Sequence, residues 1–381
     1  MFKIYYRILV SCLQTFGFGF NFLRWLLLFP LALAFTRFTL VLDNIFFPKF
    51  RQVTVTQPIF IIGHPRSGTT FVHHLLTQTE EYATFKTWHI IFPAITARIL
   101  FKPLINYLVK SNCDSIVPED IGHSVSLDQV EEEELLFLHK ADTQFIFLTT
   151  PLGFDNKEHP EIRYHDQQPA SRRQSSVKFF ENCLKRQIYY TKKEQIVAQI
   201  HYSTHRIKTL LESFPDAKFI YLVRSPYETI VSHLSQDRNF QHHYWGTNNI
   251  PKAKLKLYEE RRYRYNAELY RYFWQLQQNQ EIPPNNVMIL KYDLLISDLN
   301  QAFEQIINFT GIHPSQQLRN AVTQQAEKQK SYKRKHKVKD LAEFNLTKEK
   351  LLTDLEFVFD EYGFDKKLEE INIKNTVKTS N

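Results

Sequence analysis

The sequence predicts an α/β protein with a central parallel sheet flanked by helices and an N-terminal hydrophobic helical arm. Three observations carry this. Short apolar runs at 58–63, Gln195–Ile200, Lys218–Val223 and Val287–Lys291 read as buried strands. Segments of helical spacing lie between or after them, at Thr204–Phe214, Pro226–Ser235, Tyr258–Gln278 and Leu299–Thr310. Strands alternating with helices imply a parallel sheet with right-handed crossovers. The third observation is a Phe- and Leu-rich stretch from about Phe16 to Phe47, ahead of the first strand.

The arm occupies residues 1–50, the main domain 51–365, and a polar tail 366–381. The uncharged run Trp25–Thr36 lies between Arg24 and Arg37 and carries Pro30. It is shorter than the roughly 20 apolar residues of a helical span, and the proline kinks it. We expect membrane-associated helices lying in or dipping into one leaflet. Packing of the arm on the core is the competing expectation, and a span with snorkelling arginines is a third.

The 381 residues, 43% of them hydrophobic, allow one large core. The formal charge of +8 suits an anionic ligand or membrane surface and is too small to imply nucleic acid. Much of it lies in the run Lys328–Lys339. Cys12, Cys113 and Cys183 are odd in number and far apart, which argues against disulfides and zinc and for a reducing, cytoplasmic-side location. The polar stretch from about Thr150 to Ser176, broken by Pro151, Pro160 and Pro169, reads as an excursion on the surface or over the site.

Two turns carry the chemistry. The first is Gly63-His64-Pro65-Arg66-Ser67-Gly68-Thr69-Thr70, at the end of a predicted strand and the start of a helix over Thr69–Leu76. Free N–H groups and the positive end of the helix dipole favour an anion there. Gly68 lets the backbone curl, Ser67, Thr69 and Thr70 bring hydroxyls, and Arg66 brings a positive fork. The spacing mimics the phosphate loop of nucleotide triphosphatases, but Thr69 stands where their lysine should be. A kinase or triphosphatase is therefore the first rival reading. A non-catalytic, membrane-associated nucleotide-binding protein is the second. The second turn follows Lys218–Val223, where Arg224 sits at a strand's carboxyl end and Pro226 opens a helix. Ser232 is eight residues on, about two helical turns, and can share an anion with Arg224.

The two motifs in this order resemble the sulfotransferase family, and Pro-Arg-Ser-Gly-Thr-Thr resembles its arginine-loop branch. The resemblance runs from about Pro58 to Gly363 and includes Lys291–Leu295 and Phe309-Thr310-Gly311. It implies the P-loop sulfotransferase fold and the donor 3′-phosphoadenosine 5′-phosphosulfate, without a metal. It implies a 5′-phosphosulfate loop at His64–Thr70, a 3′-phosphate pair in Arg224 and Ser232, and help from the basic run, for which Lys333 and His336 are the choices. Two departures bear on the acceptor and on nucleotide docking. The segment Gln199–Ser203 lacks a lysine that many relatives carry, and the late stretch lacks the Arg-Lys-Gly signature of cytosolic members. The acceptor is left open by the sequence and is expected among lipids, glycans and small alcohols, or amines.

An acceptor hydroxyl needs a base. The run Glu131–Glu134 is similar to an acidic helix start in the arginine branch. On a helix, successive positions turn by about 100°, so one or two of the four carboxylates are expected to face inward. Glu132 is the choice, with Glu134 and His123 behind it. Arg66 is expected to neutralise charge on the transferred group. His64, His73 and His74 near the loop are expected to be structural or solvent-facing.

Overall fold

The computed structural model describes residues 2–117, 125–329 and 340–366. Strands β1 (Ile59–Gly63), β4 (Val197–Gln199), β5 (Lys218–Val223) and β6 (Val287–Lys291) form one parallel sheet in the order β4-β1-β5-β6. The register sets Ile61 beside Ile220 and Gly63 beside Leu222. A short antiparallel hairpin of β2 (Ser115–Val117) and β3 (Val125–Ser126) was not foreseen, since neither strand is long enough to show a period.

Successive strand residues point to opposite faces, and the two faces feed different cores. Phe60, Ile62, Phe219 and Tyr221 pack toward the helices Ala170–Thr191, Lys252–Gln278 and Lys348–Tyr362. Ile59, Ile61, Ile220 and Leu222 pack toward Thr69–Thr77 and Leu299–Thr310. Burial on both faces is why β1, β4 and β5 read as unbroken apolar runs. The buried strand expected at Val287–Lys291 is instead a partly exposed edge strand, with Ile289 and Lys291 exposed and Leu290 buried. The expected helices are present, and several are longer than predicted: Pro226 runs on to Trp245, and the Tyr258 segment starts at Lys252. The expected Thr204 helix is replaced at its start by a tighter turn, His201–Arg206, before Ile207–Ser213.

The arm is two helices, α1 (Phe2–Phe16) and α2 (Phe20–Phe46), which behave differently. Ile4, Ile8 and Cys12 of α1 join a third core with Phe147, Phe154, Trp245 and Tyr258. Arg7 pairs with the buried Asp155, and Ser11 Oγ donates to the Pro151 carbonyl at 2.5 Å. The stretch 151–155 is thus no surface excursion: Pro151–Phe154 are buried and form the seat of α1. α2 stays mostly exposed, with only Trp25, Thr36, Thr39 and Asp43 buried.

Candidate active site

Gly63 has φ of +133°, and a Cβ there would lie 2.3 Å from the Leu222 carbonyl oxygen. Only glycine lets β1 and β5 stay paired up to the loop. The loop then turns tightly. Ser67 N–H donates to the His64 carbonyl at 3.1 Å and Ser67 Oγ to the same oxygen at 2.6 Å. Ser67 is fully buried, so its hydroxyl shapes the loop. Arg66 holds φ of +72° and Gly68 φ of +100°. A left-handed, non-glycine Arg66 costs about 1–3 kcal/mol, and such strain clusters at functional turns. From Gly68, α3 (Thr69–Thr77) begins, its first N–H groups at the loop.

Arg66 Nε donates to Ser232 Oγ at 3.2 Å, and an Arg224 N–H donates to the Arg66 carbonyl at 3.4 Å. The two predicted cationic turns therefore touch. Ser232 meets Arg66, while Arg224 forms two hydrogen bonds to Glu228 and lies 3.8 Å over the Tyr292 ring. A cavity of about 420 Å³ opens here. It is lined by Arg66, Gly68, Thr69, Thr70, Arg224 and Tyr292, with Lys328 and Gln329 across from them. Lys328 brings the start of the basic run to the site; Lys333 and His336 lie outside the described residues, as does His123.

A second cavity of about 280 Å³ shares Arg66, Thr69 and Thr70 with the first. Its walls are mostly apolar and include Ile91, Val117, Leu135, Phe145, Leu148 and Phe240. Its polar groups include Glu131, Glu132, His201 and Tyr202. The Glu132 carboxylate lies 3.3 Å from His201 Nδ1. The Gln199 side-chain nitrogen is 2.8 Å from Glu132, 3.1 Å from Thr70 Oγ1 and 3.3 Å from Thr69 Oγ1. Gln199 thus links the loop to the carboxylate from the end of β4.

The acidic run departs from the expected helix. Glu132 is extended (φ −68°, ψ 117°) and caps a 3₁₀ turn, Glu133–Lys140. All four carboxylates are buried, because each finds separate partners. Glu133 accepts from the backbone N–H groups of Phe85 (3.0 Å) and Gln199 (2.7 Å). Glu134 accepts from Ser203 Oγ at 2.5 Å and pairs with Arg206 at 3.4 Å. Burial pushes the Glu134 carboxyl up despite that arginine. Crowding is not the main cause. Glu133 and Glu134 are structural, which leaves Glu131 and Glu132 at the cavity.

His64 is structural too. Burial pushes it down to about 3, and it stacks on Tyr270 at 4.6 Å. His73 is fully buried 3.4 Å from Glu133, and His74 Nε2 lies 3.3 Å from the Val130 carbonyl. Sequence reading passed over Gln199, His201 and Tyr292 as site residues. Gln199 and His201 stand at a strand's carboxyl end, which was the available signal. Tyr292 follows β6 in the same way.

The model of the sulfotransferase family matches residues 58–316. An omega-hydroxy-beta-dihydromenaquinone-9 sulfotransferase, Stf3, of Mycobacterium bovis is 28% identical over 181 residues, 46% of this chain and 44% of that protein. The Mycobacterium tuberculosis Stf3 matches equally. The match therefore spans less than half the length of these relatives. The crystal structure of sulfotransferase STF9 from Mycobacterium avium shares the fold, with a TM-score of 0.67 at 18% identity over 88% of this chain and 83% of that one. STF1 from Mycobacterium tuberculosis does so with a TM-score of 0.65 at 17% identity over 93% and 91%. The family match covers both cationic turns and the sheet that carries them, and the chain belongs to the sulfotransferase family.

Proposed function

We infer that the protein transfers a sulfuryl group from 3′-phosphoadenosine 5′-phosphosulfate to the hydroxyl of a lipid alcohol. The observation that carries this is the junction of two unlike cavities at Arg66, Thr69 and Thr70. One is cationic and suits a doubly phosphorylated nucleotide. The other is apolar and carries a carboxylate–imidazole pair. The reacting centre belongs at their junction.

Arg224 is assigned to the 3′-phosphate, with Ser232 held against Arg66 between the two turns. Lys328 supports the same end, with Lys333 and His336 as further candidates. The loop N–H groups, Thr69, Thr70 and Arg66 receive the 5′ end. A side chain at Gly68 would meet the Tyr292 ring at 3.0 Å, so glycine lets the loop pack against that ring. Such donors supply what sulfuryl transfer needs most, fixed geometry and compensation of developing charge.

The acceptor oxygen attacks sulfur in line, the sulfur–oxygen bond to the 5′-phosphate breaks, and the hydroxyl proton passes to the Glu132–His201 pair. Adenosine 3′,5′-bisphosphate leaves. The apolar wall supports an acceptor with a hydrocarbon body. The menaquinone derivative in the name of the Stf3 relatives belongs to that class. α2 supports a place at a membrane, being long and apolar enough in composition. Incubation of the purified chain with ³⁵S-labelled donor and a panel of lipid alcohols tests the reading. Label is expected in the lipid phase with isoprenoid or alkyl alcohols. Label in none of them, or only in hydrophilic glycans, overturns it.

A further inference from the structure

α2 has the length to cross a bilayer, but its contacts argue against crossing. Its 27 residues extend about 40 Å. The buried positions Trp25, Thr36, Thr39 and Asp43 fall on one stripe, since 11 and 18 residues are close to whole numbers of turns. That stripe is fastened to the domain at both ends, about 27 Å apart. Near the start, Trp25 stacks with Trp245 at 6.5 Å, and Tyr5 donates to the Leu26 carbonyl at 2.9 Å. Near the end, Asp43 pairs with Arg186 at 2.7 Å. A helix held to a polar domain along its length cannot also pass through the hydrocarbon layer.

Asp43 has a second task. Its carboxylate accepts from the backbone N–H groups of Ile95 (2.9 Å) and Thr96 (2.8 Å). It therefore caps the helix Ile95–Lys110 and binds it to α2. Phe35 adds an edge contact to Phe101 at 5.8 Å. The outer face of Ile95–Lys110 is apolar at helical spacing: Ile99, Leu100, Leu104 and Tyr107 are 50–66% exposed. On α2, Leu27, Leu28, Leu31 and Phe38 are 55–64% exposed. The exposed charges of the two helices are Arg24, Arg37, Lys102 and Lys110, with no exposed carboxylate among them. An apolar face edged only by cations complements an anionic lipid surface.

The apolar cavity opens beside this face. Ile116 and Tyr244 line it and are about two-fifths exposed, at 41% and 39%. Tyr244 stacks on Phe240 at 4.2 Å. Burial raises the Tyr244 phenol, and Arg24 of α2 is close enough to oppose that rise.

We propose that α2 and Ile95–Lys110 form an in-plane platform seated in one leaflet of an anionic bilayer, with the mouth at Ile116 and Tyr244 opening to the acyl layer. A lipid alcohol then reaches Glu132 from the side without passing through water. Only this last step rests on the transfer reaction proposed above.

The test reads binding and depth, so its outcome is separate from turnover. The full chain is floated with phosphatidylcholine vesicles with and without phosphatidylglycerol. Binding is expected, and more strongly with the anionic lipid. Leu100→Glu/Leu104→Glu, which leaves the arm intact, is expected to lower the bound fraction about tenfold. If that variant does not fold, Ile99→Ser/Tyr107→Ser carries the same comparison. Bimane on Cys113→Ser/Ile116→Cys is expected to be quenched by brominated acyl chains. Wild-type binding by the folded variants, resistance of the wild type to alkaline carbonate extraction, or an unquenched label each overturns the platform.

Discussion

The Glu132 carboxylate and the His201 imidazole lie 3.3 Å apart on the wall shared with the phosphate loop. They come from different elements, the cap of a 3₁₀ turn and the turn after β4. If the pair takes the acceptor proton, Glu132→Gln and His201→Asn should each reduce turnover by about 10²–10⁴-fold. Affinity for adenosine 3′,5′-bisphosphate should not change. The double variant should lose little more than either single one, because the two act as a unit. Steady-state kinetics beside calorimetry check this. Full turnover in Glu132→Gln removes it from the reaction.

Arg66 and Arg224 should fail in different ways. If Arg224 holds the 3′-phosphate as proposed, Arg224→Ala should weaken adenosine 3′,5′-bisphosphate binding by about 1.5–3 kcal/mol. Arg66→Ala should lower turnover by about 10²–10³-fold, as removal of one transition-state donor does elsewhere. Calorimetric affinity and single-turnover rates separate the two. Equal losses in both quantities for both variants would contradict the division of labour.

Gly63→Ala tests the loop's foundation. The added methyl would collide with the Leu222 carbonyl at 2.3 Å, in a backbone conformation that side chains rarely take. The dihedral strain alone is about 1–3 kcal/mol, and separating β1 from β5 adds to it. Chemical denaturation should show a lower midpoint, with nucleotide affinity lost as well. Gly311→Ala is the control: it also has positive φ (+70°), but its methyl meets nothing within 4 Å.

Acid should loosen α1. Burial alone would raise the Asp155 carboxyl, but hydrogen bonds from His159 and Arg7 hold it well below the usual carboxylate range. A depressed carboxylate contributes stability above its unfolded value, near 3.9, and that contribution fades as pH falls through the lower folded value. Proteolysis near residue 17 should therefore accelerate below about pH 4. Asp155→Asn should show the acid behaviour already at neutral pH. Identical cleavage of wild type and variant across that range would show that Asp155 does not hold the helix.

The sheet was legible because strands buried on both faces must be continuously apolar, as at Phe60–Ile62 and Phe219–Val223. The turn from β1 to α3 was legible because a short link between a buried strand and a helix needs backbone freedom, which Gly68 supplies at φ of +100°. These are local demands, written in adjacent residues. What the tertiary structure alone decided lies across sequence distance. Ser232 could be placed one helical face from Arg224, yet it meets Arg66 across 166 residues. The four glutamates look alike in sequence, but their fates were divided by what packed on them: backbone N–H groups at Glu133, Ser203 and Arg206 at Glu134, and the cavity at Glu132. The arm, too, was split by packing, α1 into a core and α2 along a surface. Hydropathy measures how much a segment gains by leaving water, but only the neighbours it meets decide whether protein or lipid receives it.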